Sequence, residues 1–268
     1  ENAKKMYGDR MKAPRANIDY IDYRISVMSS GGLRRFYQPQ ARFFCDQYEP
    51  FKPLSISQAY ALLEWGMNWV VAGHELQQVI IHSGILAKSD QAVLFPAPPG
   101  SGKSTLTAFL ANNGWRLLSD EMALVEAKSL TALPFVRPIC LKNASINIAK
   151  QWFPNNAFSS IAKHTHKGDV IHMAPKIGCQ DNYARPAQIK AIVFPNYRPN
   201  TDLDIYALNQ RQAFMQLADN AFNFTTIGES AFASLTNIIE SVPCYDVYYN
   251  DVAAVQAFIE QDILSDQS

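Results

Sequence analysis

The residues of this chain best equipped for chemistry stand in the run Ala97-Pro98-Pro99-Gly100-Ser101-Gly102-Lys103-Ser104-Thr105. Gly100 and Gly102 let the backbone turn its N–H groups toward bound oxygens where a side chain would obstruct the approach. A lysine placed like Lys103 reaches the β- and γ-phosphates of a nucleotide, and a hydroxyl placed like Ser104 ligates Mg²⁺. Pro99 to Thr105 is therefore a candidate phosphate-binding segment. The run departs from the pattern G-x-x-x-x-G-K-[ST] once, with Ala97 where the first Gly stands. Pro98 and Pro99 then stiffen the entry to the loop. An ordinary strand-to-helix turn is the alternative reading of so short a cluster.

Further groups around it suit phosphoryl transfer. Asp120 and Glu121 close an apolar strand about seventeen residues after Lys103. Such transfer needs a metal to neutralise phosphate charge and a carboxylate to accept the proton of the nucleophile. Adjacent acids at a strand's end can divide that work; a solvated turn is the competing reading. His82 lies in an otherwise apolar strand, where a satisfied core histidine and a phosphate-touching one are equally open. Arg137, Lys142 and Asn143 form a small basic cluster. Lys167, Gly168 and His172 form another, and Arg198 follows Pro195-Asn196-Tyr197. Extra cations favour phosphoryl transfer, but each of these also reads as plain surface charge. Trp65 and Trp69, one helical turn apart, read as core.

The elements that must hold these groups can be placed from the pattern. Val79 to Leu86 reads as a strand, Ser89-Asp90 as a turn, and Ala92 to Phe95 as the next strand, so a hairpin delivers the chain to the loop. Leu106 to Ala111 has helical character, and its N-terminus adds its dipole to an anion site. Upstream, Tyr23 to Val27 and Ala41 to Phe44 are strand-like, and Ser55 to Ala72 reads as a helix with Ser55 or Ser57 as N-cap. Met122 to Glu126, Ala187 to Phe194, Leu203 to Tyr206 and Tyr245 to Tyr249 read as strands. Arg211 to Phe222, Glu229 to Ser241 and Val252 to Leu264 read as helices, which makes the C-terminal third mostly helical. Residues 154 to 186 show few regular signals and are read as a mobile loop.

Composition narrows the classes. Lys+Arg and Asp+Glu balance at 24 each, so no global field favours nucleic acid or an anionic membrane. Hydrophobic content of 48% over 268 residues supports a sizeable core. Cys45, Cys140, Cys179 and Cys244 are widely spaced and read as free thiols of a reducing compartment. The start, Glu1-Asn2-Ala3-Lys4-Lys5, is polar, has no signal-peptide pattern and no initiator Met; a few upstream residues and a cytoplasmic location are expected.

His82-Ser83-Gly84, Ala97 to Thr105 and Ser119-Asp120-Glu121 together resemble the catalytic domain of HPr kinase/phosphorylase. More narrowly, the chain is similar to the HprK-related kinase A group. Leu63 to Trp69, Pro96 to Thr105, Gly114 to Glu121, Arg137 to Asn143 and Ala221-Phe222-Asn223-Phe224 carry that resemblance. It implies an α/β, PEP-carboxykinase-like P-loop fold with a mixed sheet. A single domain over 1–268 is expected, with N-terminal strands and a helix over 1–75, a nucleotide-binding core over 76–200 and a mostly helical part over 201–268. The resemblance further implies ATP and Mg²⁺ as cofactors and a protein or peptide hydroxyl as acceptor. In it Lys103 and the loop amides hold phosphates, Ser104 and Glu121 stand near the metal, Asp120 is the general base and His82 an active-site histidine. HPr kinase itself is an oligomer, so a homo-oligomer is conceivable here too. The family carries an acid where Arg137 and Lys142-Asn143 stand, and its Gly-Arg-rich loop is only echoed by Pro195 to Pro199. A kinase without the reverse, phosphate-releasing activity and with an acceptor other than HPr is the expectation. A nucleotide-binding regulatory protein with little turnover and a small-molecule kinase are the alternatives.

Overall fold

The structure, a computed structural model, describes residues 1–8, 11, 21–126, 128–175 and 184–265. The chain gathers into two compact units, Glu1–His74 with Cys140–Ala174 and Glu75–Ile139 with Pro175–Ser268. The first begins with a short helix, Asn2–Tyr7 (α1), and three antiparallel strands, Ile25–Ser29 (β1), Gln40–Cys45 (β2) and Leu54–Ser55 (β3). Ala41, Phe43 and Cys45 alternate on the buried face of β2, as strand geometry requires. Helix Ala59–His74 (α2) packs on that face. Gly66 permits the approach, because a Cβ there would run into the Phe43 ring. Trp69 packs with Phe51 and Tyr48, as the core reading expects. A 3₁₀ turn, Ile56–Gln58, precedes α2, and neither Ser55 nor Ser57 caps the helix as expected; their hydroxyls meet each other at 2.9 Å.

In the second unit, Val79–Lys88 (β4) and Gln91–Pro96 (β5) form the anticipated hairpin, paired from Ser83↔Pro96 to Lys88↔Gln91. Ser89 makes the tight turn at φ 54. Helix Lys103–Asn112 (α3) follows, then strands Arg116–Ser119 (β6), Met122–Glu126 (β7) and Thr131–Leu133 (β8).

The chain then returns to the first unit. Strands Ile139–Lys142 (β9), Ala162–Thr165 (β10) and Gly168–Met173 (β11) form a three-stranded sheet, with helix Ala144–Trp152 (α4) after β9. Two strands thus occupy the 154–186 stretch that was read as a mobile loop. His172 is 2% exposed and Val170, Ile171 and Met173 are buried, so apolar burial orders a stretch whose polar turn obscures its pattern. Residues 176–183 of that stretch lie outside the described residues.

Strands Ala187–Tyr197 (β12), Asp204–Ala207 (β13) and Cys244–Tyr249 (β14), with helices Gln210–Asp219 (α5), Phe224–Ile227 (α6), Glu229–Ser241 (α7) and Val252–Phe258 (α8), complete the second unit. The fold is α/β with a mixed sheet in the order β13-β14-β12-β5-β4-β7-β8, and β6 also pairs with β4. β12 runs parallel to β5 and β14, while the other pairings are antiparallel. β8 pairs with both β7 and β12, which closes a circuit of five strands. Val79, Ile81, Leu94 and Ile192 join Leu217, Leu235 and Ile238 in one apolar core under α5 and α7. The alternate side chains of β4 therefore face the other way, toward α3.

Candidate functional site

The glycine-rich loop starts at the C-terminal end of β5. Ala97 is 1% exposed, so the departure from the motif is a small side chain fitted into the core. Gly100 and Gly102 take φ 92 and 86, values that favour glycine. Gly102 is the N-cap of α3 and offers no side chain to cap it. The first turn of a helix directs its N–H groups off the end, and here no side chain caps them.

Lys103, the first residue of α3, is 7% exposed. Its Nζ sits 3.1 Å from His82 Nε2 and 3.3 Å from the Asp120 carbonyl oxygen. With the ammonium as donor, Nε2 accepts, which leaves the imidazole proton on Nδ1. The sequence-separated residues Lys103, His82 and Asp120 are thus brought together.

Asp120 and Glu121 close strand β6, as expected, and the chain runs from them directly into β7. β6 and β7 both run antiparallel to β4, with Ser119 opposite Ile85 and Met122 opposite His82. The acids fall in the break between two collinear strands, opposite Ser83 and Gly84. Ser119 Oγ accepts from the Met122 amide at 3.1 Å, and the Ser83 amide donates to the Glu121 carbonyl at 3.3 Å. Those two bonds fix the break beside Lys103, and Asp120 is left 4% exposed. Gly84 keeps this strand close to α3, because a Cβ there would lie 2.7 Å from Thr107 Oγ1.

His82 is placed by a segment that the sequence reading gave no role. Its amide donates to the Asn220 carbonyl at 2.6 Å, and the Phe222 ring centroid lies 5.4 Å from the imidazole. Asn223, 1% exposed, accepts from the Ile80 amide at 3.0 Å. Its Nδ2 donates to the Gln78 and Glu75 carbonyls at 2.9 and 3.2 Å. One side chain thereby fixes the start of β4.

Two tyrosines back the loop. β5, β12 and β14 are parallel, so their C-terminal ends reach the same edge of the sheet. There the Tyr197 amide donates to the Ser101 carbonyl at 2.9 Å. A Cβ at Gly102 would lie 2.5 Å from the Tyr249 hydroxyl and 2.8 Å from Tyr197 Cβ. Burial pushes the Tyr249 phenol well above its ordinary value, with the Tyr197 phenol adding to the rise. Arg198 follows on the same edge and stacks 4.1 Å over Tyr248.

No family model and no curated protein matches this chain.

The remaining sequence candidates separate by unit. Arg137 lies in the second unit with its guanidinium over Phe135 at 5.4 Å; the Phe135 amide bonds the Leu118 carbonyl at 2.8 Å, close to the acidic break. Lys142, Lys167 and His172 belong to the first unit. Asn143 ties β9 to β11, its amide donating to the Asp169 carbonyl at 3.0 Å. Lys167 Nζ stands 5.7 Å over the Trp65 ring, and the Tyr60 ring meets His172 edge-on. Tyr197 and Tyr249 were the residues missed, and Asn223 figured only within the run 221–224, without a role. Tyr197 and Tyr249 end apolar strands, which in sequence looks like ordinary β composition; Asn223 stands out only as a lone polar residue between Phe222 and Phe224.

Among the described residues Cys45, Cys140 and Cys244 are buried and form no disulfide, and Cys179 lies outside the described residues. Among the described residues no helix is long and apolar enough to cross a membrane.

Proposed function

We propose that the second unit is a kinase core of the HPr kinase-like type, which binds ATP with Mg²⁺ and transfers the γ-phosphoryl group to a Ser or Thr hydroxyl of a protein or peptide. The observation that carries the reading is the Lys103 ammonium, buried at the start of α3 and held between His82 and the backbone of Asp120. A pure turn would have no use for a buried cation joined to a histidine and an acid-bearing break.

The donor set fits the groups this reading requires. The glycines at 100 and 102 and the uncapped helix end suit phosphate oxygens, and space is open beside Gly100, where a Cβ would meet nothing within 4 Å. Magnesium in phosphate sites is held by one or two protein oxygens, with phosphates and water completing it. Ser104, Asp120 and Glu121 would supply the protein oxygens, so the absence of a larger ligand cluster among the described residues does not conflict. When bound, ATP supplies the phosphoryl group and Mg²⁺ offsets its charge. Lys103 and the loop amides then hold the phosphates. Asp120 takes the proton from the acceptor hydroxyl as its oxygen bonds to phosphorus and ADP departs. His82 keeps the Lys103 head group oriented. The acceptor, a homo-oligomeric state and a cytoplasmic location remain parts of this same proposal.

The test compares wild type, Lys103→Met and Asp120→Asn. Each is titrated with Mg²⁺ and a non-hydrolysable ATP analogue, then assayed for ADP formation with a Ser/Thr peptide library. Lys103→Met should lose analogue binding. Asp120→Asn should still bind it, more weakly for want of one charged metal ligand, and transfer roughly 10²–10⁴-fold more slowly, the usual contribution of a general base. Unchanged binding by Lys103→Met, or equal transfer by Asp120→Asn, overturns the proposal.

A further inference from the structure

Behind the loop stands a polar atom that the mechanism above does not use. Tyr249 is 1% exposed, and its hydroxyl makes no hydrogen bond to any described residue. The Ser101 hydroxyl, one residue before Gly102, is likewise buried without a partner. A buried hydroxyl without a partner costs free energy that a phenylalanine ring in the same space would not. The hydroxyl also lies 2.5 Å from where a Cβ of residue 102 would stand, so only a glycine there leaves room for it. Burial keeps this phenol protonated at neutral pH, so it remains a donor. A protonated donor lodged against the N-terminal end of a helix is matched to an anionic acceptor.

We propose that Tyr249 is a positioning residue of the phosphate loop, whose hydroxyl gains its hydrogen bond only when a nucleotide's phosphate chain occupies the loop. This rests on the nucleotide-binding reading above. In the free protein the hydroxyl braces Gly102 by contact alone. With phosphate bound, it donates to the loop–phosphate assembly and holds Gly102 and Ser101 in the bound arrangement. The coupling is one-sided, because it strengthens the liganded state and weakens the free one.

The test uses the full chain as wild type and Tyr249→Phe, with Mg²⁺ and the non-hydrolysable ATP analogue as probe. Thermal unfolding is followed without and with the probe, and Kd is measured by calorimetry. Free Tyr249→Phe should unfold at the wild-type temperature or higher. Its Kd should rise about tenfold, the worth of one hydrogen bond, and its ligand-induced rise in Tm should shrink accordingly. A merely structural tyrosine would give the opposite pattern, a lower Tm of the free variant with Kd unchanged, and that result overturns the proposal. A wild-type Kd in Tyr249→Phe overturns it as well. Failure of wild type itself to bind the probe removes the nucleotide reading and this one together, whereas binding by wild type that Tyr249→Phe matches removes only the role of Tyr249.

Discussion

Gly102 carries two demands at once, a positive φ of 86 and contact with two tyrosines, whereas Gly100 carries only the first, at φ 92. A side chain forced into that region costs about 1–3 kcal/mol from backbone strain alone. Alanine at 100 should therefore destabilise the protein by about that amount. Alanine at 102 should cost clearly more, because its Cβ would lie 2.5 Å from the Tyr249 hydroxyl and 2.8 Å from Tyr197 Cβ, an atom that the β12 backbone holds in place. Urea unfolding of the two variants checks this, and equal midpoints would mean that the tyrosines do not constrain the loop. The need for glycine was legible from the spacing of the run. Which glycine is packed and which is open was not, because the packing partners come from strands about a hundred residues or more further along the chain.

At the level of elements, the site depends on where β4 begins. Asn223 bonds three backbone groups of residues 75–80, and it does so from a buried position. Replacing it with alanine leaves a backbone N–H and two carbonyls without their side-chain partner, at about 1–3 kcal/mol for each that stays buried and unsatisfied. Asn223→Ala should therefore lose at least about 2 kcal/mol of stability. Hydrogen exchange should report the loss first at the Ile80 amide and then at His82; unaltered exchange at both would show that other contacts hold the strand. The hairpin of β4 and β5 was readable in advance, since an apolar run, a Ser-Asp turn and a second apolar run specify it locally. That one strand ends at Asp120-Glu121 and another begins at Met122 was readable too; whether the two lie in one line or pair with separate partners was not, because both arrangements look the same in sequence. What distinguishes them is their common pairing with β4, a non-local fact. The same holds for 162–173, where a polar turn between two short strands reads as a loop until burial of Val170 and His172 is known.

On the scale of the whole molecule, titrating groups of the two kinds, a histidine and two carboxyls, act in different pH windows. In the first unit, burial lowers the His166 pKa below its ordinary 6.5, and the nearby Lys167 and Lys142 charges lower it further. The folded state then binds a proton less readily than the unfolded one, so this contribution is complete above pH 6.5 and drains as pH falls just below it. In the second unit, burial would raise the Glu260 carboxyl, but hydrogen bonds from Lys88, Gln256 and Trp115 and the Lys88 charge hold it below its ordinary 4.5. Glu49 in the first unit is lowered too, chiefly by its hydrogen bond from Arg42. Carboxyls lowered in this way stabilise fully above pH 4.5 and lose that contribution as pH falls through their folded values. Urea midpoints measured from pH 8 to pH 3 should therefore descend in two limbs. His166→Gln should flatten the limb just below pH 6.5 and leave the acidic one. Glu49→Gln combined with Glu260→Gln should flatten the limb below pH 4.5 and leave the other. Identical pH profiles in wild type and variants would show that these groups keep their unfolded-state affinities in the fold, and that acid sensitivity arises elsewhere in the chain.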